Sequence, residues 1–342
     1  MEGFLKISRR QAVFQVGELG EIAAARRAGV DLARQLGFDE TRAGKLALII
    51  TEAATNVVKH AVRGEIMLRT ISENADYGIE VIAVDSGPGI ENLKSSMQDG
   101  VSTTGTYGVG LGAISRLADE FDLYSVPGSG TVLWMQLWAV TSTKLQSEWD
   151  IGVVCLPIAS EEESGDDWAS VSMTNSLTVM VADGLGHGSE AARASRAAVD
   201  VLLQSADAYP ASILSQAHDA LAGTRGAAVA IAQISNAGEH LRYCGVGNIE
   251  ACIMDGDVSR HMVSHNGIVG NNIRKLQEFT FPWMPESILI MHSDGLGTRW
   301  NVANYPGLYT RHPAVIAAIL YRDFVRRRDD VTVLVVRKAR AR

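Results

Sequence analysis

The sequence has few of the features that mark secreted, membrane-spanning or polyanion-binding proteins. Its three cysteines, Cys155, Cys244 and Cys252, are too few and wrongly spaced for a disulfide framework or a thiolate metal site. No stretch reaches the roughly 18 apolar residues of a membrane span, and the first ten residues lack the apolar core of a signal peptide. The net charge of −8 provides no basic surface for nucleic acid. We therefore expect a cytoplasmic protein that binds neither membrane nor nucleic acid.

Length and residue pattern predict two domains of the α+β class. One domain usually takes about 100 to 200 residues, and 46% apolar content is enough for two cores. The polar stretch 141–150 lacks periodicity and is the best linker candidate, so we place the domains at 1–142 and 143–342. The first half predicts helices on one face of a sheet. The second is rich in strands, which predicts a two-sheet sandwich flanked by helices.

A helix predicted from Asp39 to Ala61 carries a carboxylate and an amide on one face, because Glu52 and Asn56 are four residues apart. Such a pair alone is also typical of an ordinary solvent-exposed helix surface. Two glycine-rich segments follow it. Asp85 ends an apolar strand in VDSGPGI, and GTYGVGLG leads into a helix whose first N–H groups favour phosphate. No G-K-[ST] follows and the first strand precedes no G-x-G-x-x-G, which excludes P-loop and dinucleotide folds.

A second group of acidic residues lies beside apolar, strand-like runs in the second half. Asp183 follows one run in VMVADGLGHG, Asp294 follows another in ILIMHSDG, and Asp329 precedes a third in RRRDDVTVLVV. Each Asp-Gly pair alone is an ordinary turn. Strand ends hold carboxylates rigidly, however, and hard oxygen donors suit Mg²⁺ or Mn²⁺. The pattern therefore predicts a divalent metal site.

Over residues 1–140 the motifs E-x-x-x-N, D-x-G-x-G and G-x-G-x-G, with GSGT at 128–131, resemble the GHKL ATPase superfamily. KLALIITEAATNVVKHA and GVGLGAISRLADEFDL are similar to the small anti-sigma-factor serine kinases, especially the RsbT type. The resemblance implies an α/β sandwich that binds ATP with Mg²⁺. It also implies these roles: Glu52 as general base, Asn56 on Mg²⁺, Asp85 on the adenine amine, Gly87 and Gly89 around the base, Gly108, Gly110 and Gly112 on the phosphates, and Thr131 near the base through a water. Lys59 either reaches a phosphate or is a solvated helix lysine.

Over residues 150–338 the order SGDD, VADGLGHG, SDGLG and DDVTV resembles the PPM-type metal-dependent protein phosphatases, in particular the SpoIIE and RsbX subgroup. The resemblance implies a β-sandwich flanked by helices. It also implies the metal ligands Asp166, Asp183, Asp294 and Asp329, with the Gly184 carbonyl as a further ligand and Asp183 bridging two ions. Sequence cannot fix strand register, so Asp167 stays open as an alternative to Asp166, and Asp330 to Asp329. The aromatic segment 298–312 is either a substrate rim or a surface loop.

Together the two resemblances imply a fused switch protein of a stress-response pathway. One domain would phosphorylate a Ser or Thr of a STAS-domain anti-sigma-factor antagonist or RsbS-like protein with ATP and Mg²⁺, and the other would remove that phosphate with Mg²⁺ or Mn²⁺. Two alternatives stay open: an RsbW-like module that binds ATP to hold a sigma factor or another regulator, and an ATP-sensing domain on a phosphatase. Strands predicted within 4–16 could pair two copies into a homodimer.

Overall fold

The computed structural model describes residues 11–61, 63–73, 76–97, 110–140, 147–174, 176–235, 239–256 and 258–340. The chain divides into two compact units, Met1–Leu145 and Gln146–Arg342, and each is described by itself. None of the helices in the described ranges combines the length and apolar character needed to cross a membrane.

The first unit is one antiparallel sheet with its main helices on one face. The strands follow the order β1-β2-β3-β5-β4. They are β1 (Gln11–Val16), β2 (Gly64–Glu73), β3 (Asp76–Asp85), β4 (Glu120–Ser125) and β5 (Thr131–Trp138). The helices are α1 (Leu19–Gln35), α2 (Glu40–Asn56), α3 (Leu93–Ser96) and α4 (Leu111–Leu117). Alternate residues of β3, Ile79, Val81 and Ala83, share one buried apolar cluster with the inner faces of α1 and α2, as a period of two requires.

Helix α2 begins at a side-chain cap and ends in a π-helical turn. The Asp39 side chain accepts a hydrogen bond from Arg42 N at 2.7 Å, so Asp39 is the N-cap of the helix. Directly after Asn56 the helix widens into a π-helical turn, Val57–Ala61. Such turns are rare and often mark functional sites. The strand predicted at 4–8 lies outside the described residues.

Helix α4 is shorter than the 108–120 that the pattern predicts. Ala118 has an extended backbone, and the neighbouring Asp119 carboxylate accepts hydrogen bonds from Trp138 N and from the Arg42 guanidinium. These tertiary contacts end the helix at Leu117 because they hold Asp119 against β5 and α2.

The second unit is the sandwich that the sequence predicts, with strand orders β15-β10-β9-β8-β7 and β12-β11-β16-β17-β6 in its two main sheets. The strands are β6 (Trp149–Leu156), β7 (Asp166–Met173), β8 (Ser176–Gly184), β9 (Ala227–Ser235), β10 (His240–Val246), β11 (Glu250–Asp255), β12 (Val258–Met262), β13 (Gly267–Ile268), β14 (Asn272–Ile273), β15 (Phe279–Pro282), β16 (Ile288–His292) and β17 (Val331–Lys338). The helices are α5 (Ser189–Gln204), α6 (Pro210–Ala220) and α7 (Pro313–Phe324). Segment 298–312 contains two short 3-10 turns, Val302–Asn304 and Leu308–Thr310.

Two apolar layers hold this unit together. One layer lies between the sheets, and the other packs α5 and α6 against the outer face of β8 and β9. Helix α7 covers β6 and β17. A Cβ at Gly152 of β6 would lie 1.9 Å from Ala314 N of α7, so only glycine permits this approach. The helices thus flank the sandwich, and the predicted metal-binding aspartates lie at or beside the ends of β7, β8, β16 and β17.

Candidate functional site

Strand pairing brings the first two predicted metal ligands together. In the antiparallel pair β7 and β8, Asp166 lies directly opposite Asp183, so their side chains share one face of the sheet. Asp167, the next residue along β7, points to the other face, and its carboxylate accepts a hydrogen bond from Trp168 N. The pairing therefore favours Asp166 over Asp167 as the residue beside Asp183.

The other sheet brings Asp294 and Asp329 to the same acidic neighbourhood. Asp294 follows β16 and Asp329 precedes β17, and these strands are antiparallel neighbours. Ser293, which directly precedes Asp294, forms hydrogen bonds to both sheets. Its hydroxyl donates to Asp166 Oδ2 at 2.6 Å and accepts from Thr332 N at 2.9 Å. Ser293 thereby connects an aspartate of one sheet to the backbone of the other.

Burial and neighbouring negative charges raise the pKa of three of these carboxyls, those of Asp166, Asp183 and Asp294. Burial raises the pKa of Asp183, and the negative charges of Asp166, Asp294 and Asp329 raise it further. Burial also raises the pKa of Asp166, although the hydrogen bond from Ser293 opposes this rise. The pKa of Asp294 is raised by burial and next by Asp329. A divalent cation would relieve both the desolvation and the repulsion.

Asp330 has a different task from Asp329. Its carboxylate is buried and accepts two backbone hydrogen bonds, from Ile158 N and Gly165 N, both at 2.8 Å. It therefore fixes the loop that leads into Asp166. Asp329 is partly exposed, and of its two oxygens Oδ1 accepts a hydrogen bond from Asp330 N. This arrangement favours Asp329 as the ligand and Asp330 as the anchor of the loop.

The turn after β8 is shaped by close backbone contacts. A Cβ at Gly184 would lie 2.1 Å from Ala191 O of α5, so this glycine is required for packing whether or not its carbonyl binds a metal. His187 Nδ1 lies 2.7 Å from Glu161 Oε1, which joins the turn to the 157–165 loop. Asn248 donates to Asp294 Oδ2 at 2.7 Å and orients that carboxylate.

The donor set fits divalent metal ions that keep several waters. Within the described ranges no three side chains of His, Cys, Asp or Glu converge tightly enough to hold an ion unaided. In the structure Asp166 accepts a hydrogen bond from Ser293, and Asp294 accepts one from Asn248. Mg²⁺ is typically bound through one or two carboxylates and retains waters on its other positions. Asp166, Asp183, Asp294 and Asp329 therefore suit Mg²⁺ or Mn²⁺ in number and chemistry.

In the first unit Glu52 and Asn56 lie one turn apart on α2, as predicted. Both are partly exposed. Burial raises the pKa of the Glu52 carboxyl, and the positive charge of Lys59 opposes that rise. Lys59 is exposed and lies in the π-helical turn that follows Asn56. The arrangement places a carboxylate of raised proton affinity beside an amide and a cation on one side of the helix.

The Asp85 turn is held in one orientation by the backbone around it. Asp85 Oδ1 accepts hydrogen bonds from Gly87 N at 2.8 Å and from Thr131 N at 3.2 Å. A Cβ at Gly87 would lie 2.7 Å from the Ala61 Cα atom, so the turn lies directly against the π-helical segment. Gly89 has φ +71°, and a Cβ there would lie 2.2 Å from Val126 O. Close packing against Ala61 and Val126 therefore requires glycine at both positions of this turn.

The remaining residues predicted for nucleotide binding lie in different surroundings. Thr131 is buried, and its hydroxyl lies 2.9 Å from the Ser125 hydroxyl. Gly110 is the residue before α4, and a Cβ at Gly112 would lie 2.5 Å from Met97 O. Gly108 lies outside the described residues. The nucleotide role of all these residues remains a prediction.

Ser293, Asn248 and the anchoring role of Asp330 were not found from the sequence. Ser293 could have been suspected, since it directly precedes Asp294 at a strand end. Asn248 offers no local signal, because it meets Asp294 only through the pairing of β11 with β16.

Two described families match the chain, one in each unit. The family described as histidine kinase-like ATPase domain matches residues 17–137, and the family described as stage II sporulation protein E (SpoIIE) matches residues 174–339. Serine/threonine-protein kinase RsbT of Bacillus subtilis (strain 168) is 38% identical over 118 residues, which are 34% of this chain and 89% of RsbT. Phosphoserine phosphatase RsbX of the same organism is 29% identical over 133 residues, which are 39% of this chain and 67% of RsbX.

A solved structure from work on the bacterial stressosome is also similar. It superposes with a TM-score of 0.53 at 26% identity and covers 56% of this chain and 100% of the solved one.

Proposed function

We propose that this chain, which belongs to the RsbT family of serine/threonine-protein kinases and also carries a SpoIIE phosphatase domain, is a bifunctional switch protein. Its first unit would phosphorylate a Ser or Thr of a STAS-domain regulator, and its second unit would remove that phosphate. The observation that carries the proposal is that Asp166 lies directly opposite Asp183 and that the negative charge of Asp329 raises the pKa of Asp166, Asp183 and Asp294.

For the phosphatase unit we assign four aspartates to metal binding and two residues to their support. Asp166, Asp183, Asp294 and Asp329 would hold divalent cations, while Ser293 and Asp330 keep Asp166 and its loop in place. Bound divalent ions would lower the pKa of water and neutralise charge on the phosphoryl group. Overall, a water oxygen bonds to phosphorus, the bond from phosphorus to the Ser or Thr oxygen breaks, and that oxygen takes a proton. No protein side chain forms a covalent bond to phosphorus in this scheme.

For the kinase unit we assign the proton transfer to Glu52. Its carboxylate would accept the proton of the substrate hydroxyl as that oxygen bonds to the γ-phosphorus and ADP leaves. Partial burial raises the pKa of Glu52, which strengthens it as a base at neutral pH. Asn56 would contact the Mg²⁺ that accompanies ATP, and Asp85, fixed by Gly87 N and Thr131 N, would accept from the adenine amine.

The opposing reactions would consume ATP without net effect if both ran at once. We therefore propose that binding of the regulatory partner controls one of them. RsbT and RsbX are separate proteins of one organism, whereas this chain carries a similar domain of each kind. This supports the idea that both domains act on one substrate.

The test is mass spectrometry of an RsbS-like STAS protein from the same organism, incubated with the full chain. With ATP and Mg²⁺ the protein should gain one phosphate, and after ATP is removed and Mn²⁺ is added it should lose that phosphate. Glu52→Gln should abolish only the gain, and Asp183→Asn only the loss. The matched controls Glu40→Gln on α2 and Asp200→Asn on α5 change exposed acids of the same units and should behave as wild type.

Each of three results would contradict this proposal. Capture of the partner in the presence of ATP without phosphate transfer would indicate a sequestration module. Phosphatase activity that responds to ATP, again without transfer, would indicate an ATP sensor. If the phosphorylated substrate kept its phosphate in the presence of Mn²⁺ and wild-type protein, the proposed phosphatase activity of the second unit would be contradicted.

A further inference from the structure

Arg225 lies at the end of the β8–β9 pair that carries Asp183, and it has no role in the metal binding assigned above. It lies in the turn between α6 and β9. Two residues later β9 begins, and there Ala227 and Ala228 pair with Gly184 and Asp183 of β8. Leu185 N also donates to Gly226 O at 3.0 Å. The fold therefore brings Arg225 to the strand end that carries Asp183.

The guanidinium of Arg225 lies over the turn that follows Asp183. A Cβ built on Gly186 would be 3.0 Å from Arg225 Nη1. The Arg225 side chain is exposed, and within the described parts of the chain it makes no ion pair or hydrogen bond. Two arginines of nearby α5 differ, because Arg193 pairs with Glu190 and Arg196 with Glu163. The donors of Arg225 are thus available beside the turn that follows Asp183.

A phosphate monoester that approaches the four aspartates needs positive donors on the side away from them. Metal ions between the carboxylates can reach only the oxygens that face them. A guanidinium presents two parallel N–H groups in the geometry of phosphate oxygens. Leu185, 39% exposed in the same turn, offers an apolar surface beside that position.

We infer that Arg225 donates hydrogen bonds to the phosphoryl oxygens of the substrate and is the phosphate-binding side chain of the second unit. The inference rests on the proposed phosphatase function. The alternative task for Arg225 is purely structural, namely to stabilise the 184–188 turn by covering Gly186.

The test uses the full chain with saturating Mn²⁺ and inorganic phosphate as the probe. Calorimetry gives the phosphate Kd and, separately, the Mn²⁺ Kd, while hydrolysis of p-nitrophenyl phosphate gives KM and kcat. Arg225→Gln should raise the phosphate Kd roughly ten- to a hundredfold, since it removes charge-assisted hydrogen bonds. The Mn²⁺ Kd and the thermal midpoint should not change. Arg225→Lys should restore part of the phosphate affinity.

Arg260→Gln is the control, because Arg260 is a partly exposed arginine of β12 that pairs with Asp255 at the end of the sheet opposite to Asp294. It should bind phosphate as wild type does. An unchanged phosphate Kd in Arg225→Gln would overturn the inference, and so would an equal loss of phosphate and Mn²⁺ affinity, which indicates a structural role. A wild-type protein that binds phosphate through Arg225 but hydrolyses no phosphoprotein would contradict the proposed function alone.

Discussion

The neighbouring residues Asp329 and Asp330, which directly precede β17, should differ in how much their mutation lowers stability. Asp330 accepts two backbone hydrogen bonds at 2.8 Å in a buried setting. Hydrogen bonds to charged groups contribute about 1.5 to 3 kcal/mol each. Loss of both in Asp330→Ala, partly offset by relief of repulsion with Asp329, should lower the free energy of unfolding of the second unit by about 2 to 5 kcal/mol. That is a large share of the roughly 5 to 15 kcal/mol that stabilises a typical domain.

Asp329→Asn should behave differently. An amide oxygen can still accept from Asp330 N, so stability without metal should stay within about 1 kcal/mol of wild type. Removal of a charge that raises the pKa of Asp166, Asp183 and Asp294 eases their repulsion. The Mg²⁺ Kd should nevertheless rise roughly tenfold or more, since a ligand is lost.

Hydrogen exchange by mass spectrometry separates the two roles directly. In EDTA, peptides that contain the Ile158 and Gly165 amides should lose protection in Asp330→Ala and keep it in Asp329→Asn. Urea unfolding followed by tryptophan fluorescence gives the matching free energies. The reasoning is refuted if Asp330→Ala retains protection, or if Asp329→Asn loses it to the same extent.

Three further outcomes are expected. Mg²⁺ at 100 times its Kd should stabilise the wild-type second unit by about 2.7 kcal/mol in thermal unfolding, and Asp183→Asn should lose this increment; an equal gain in the variant would contradict Asp183 as a ligand. Gly184→Ala should lower stability by about 2 kcal/mol or more even in EDTA, because its Cβ would lie 2.1 Å from Ala191 O; an unchanged urea midpoint would show that the helix can retreat freely. Asp85→Asn should weaken ATP binding by roughly tenfold. Its stability in urea should barely change, because the amide oxygen still accepts hydrogen bonds from Gly87 N and Thr131 N. Titration with a fluorescent nucleotide measures the ATP affinity, and an unaltered affinity would contradict a role for Asp85 in binding the base.

The sequence predicted the layers of both units because apolar periodicity determines which faces are buried. It predicted α7 at 313–324 and β1 at 11–16 with the observed bounds. It did not predict β12, β13 and β14, which are short, lack a continuous apolar run and are paired by tertiary contacts. The strand predicted at 275–281 forms at Phe279–Pro282 instead, where it pairs with β10.

Strand register explains why the acidic site could be predicted only in part. Asp166 and Asp167 are equivalent in the sequence, and only the pairing of β7 with β8 places Asp166 opposite Asp183. Asp329 and Asp330 are likewise distinguished by contacts with Ile158 and Gly165, more than 160 residues away in the chain. Local patterns carry no information on such distant partners.

Anomalous diffraction from crystals of the full chain grown with Mn²⁺ tests the central claim most directly. The account predicts two manganese peaks about 3.5 to 4 Å apart, with Asp183 oxygens in contact with both and with Asp166, Asp294 and Asp329 around them. Manganese that binds elsewhere, or saturating Mn²⁺ that leaves these four aspartates without a peak, would contradict it.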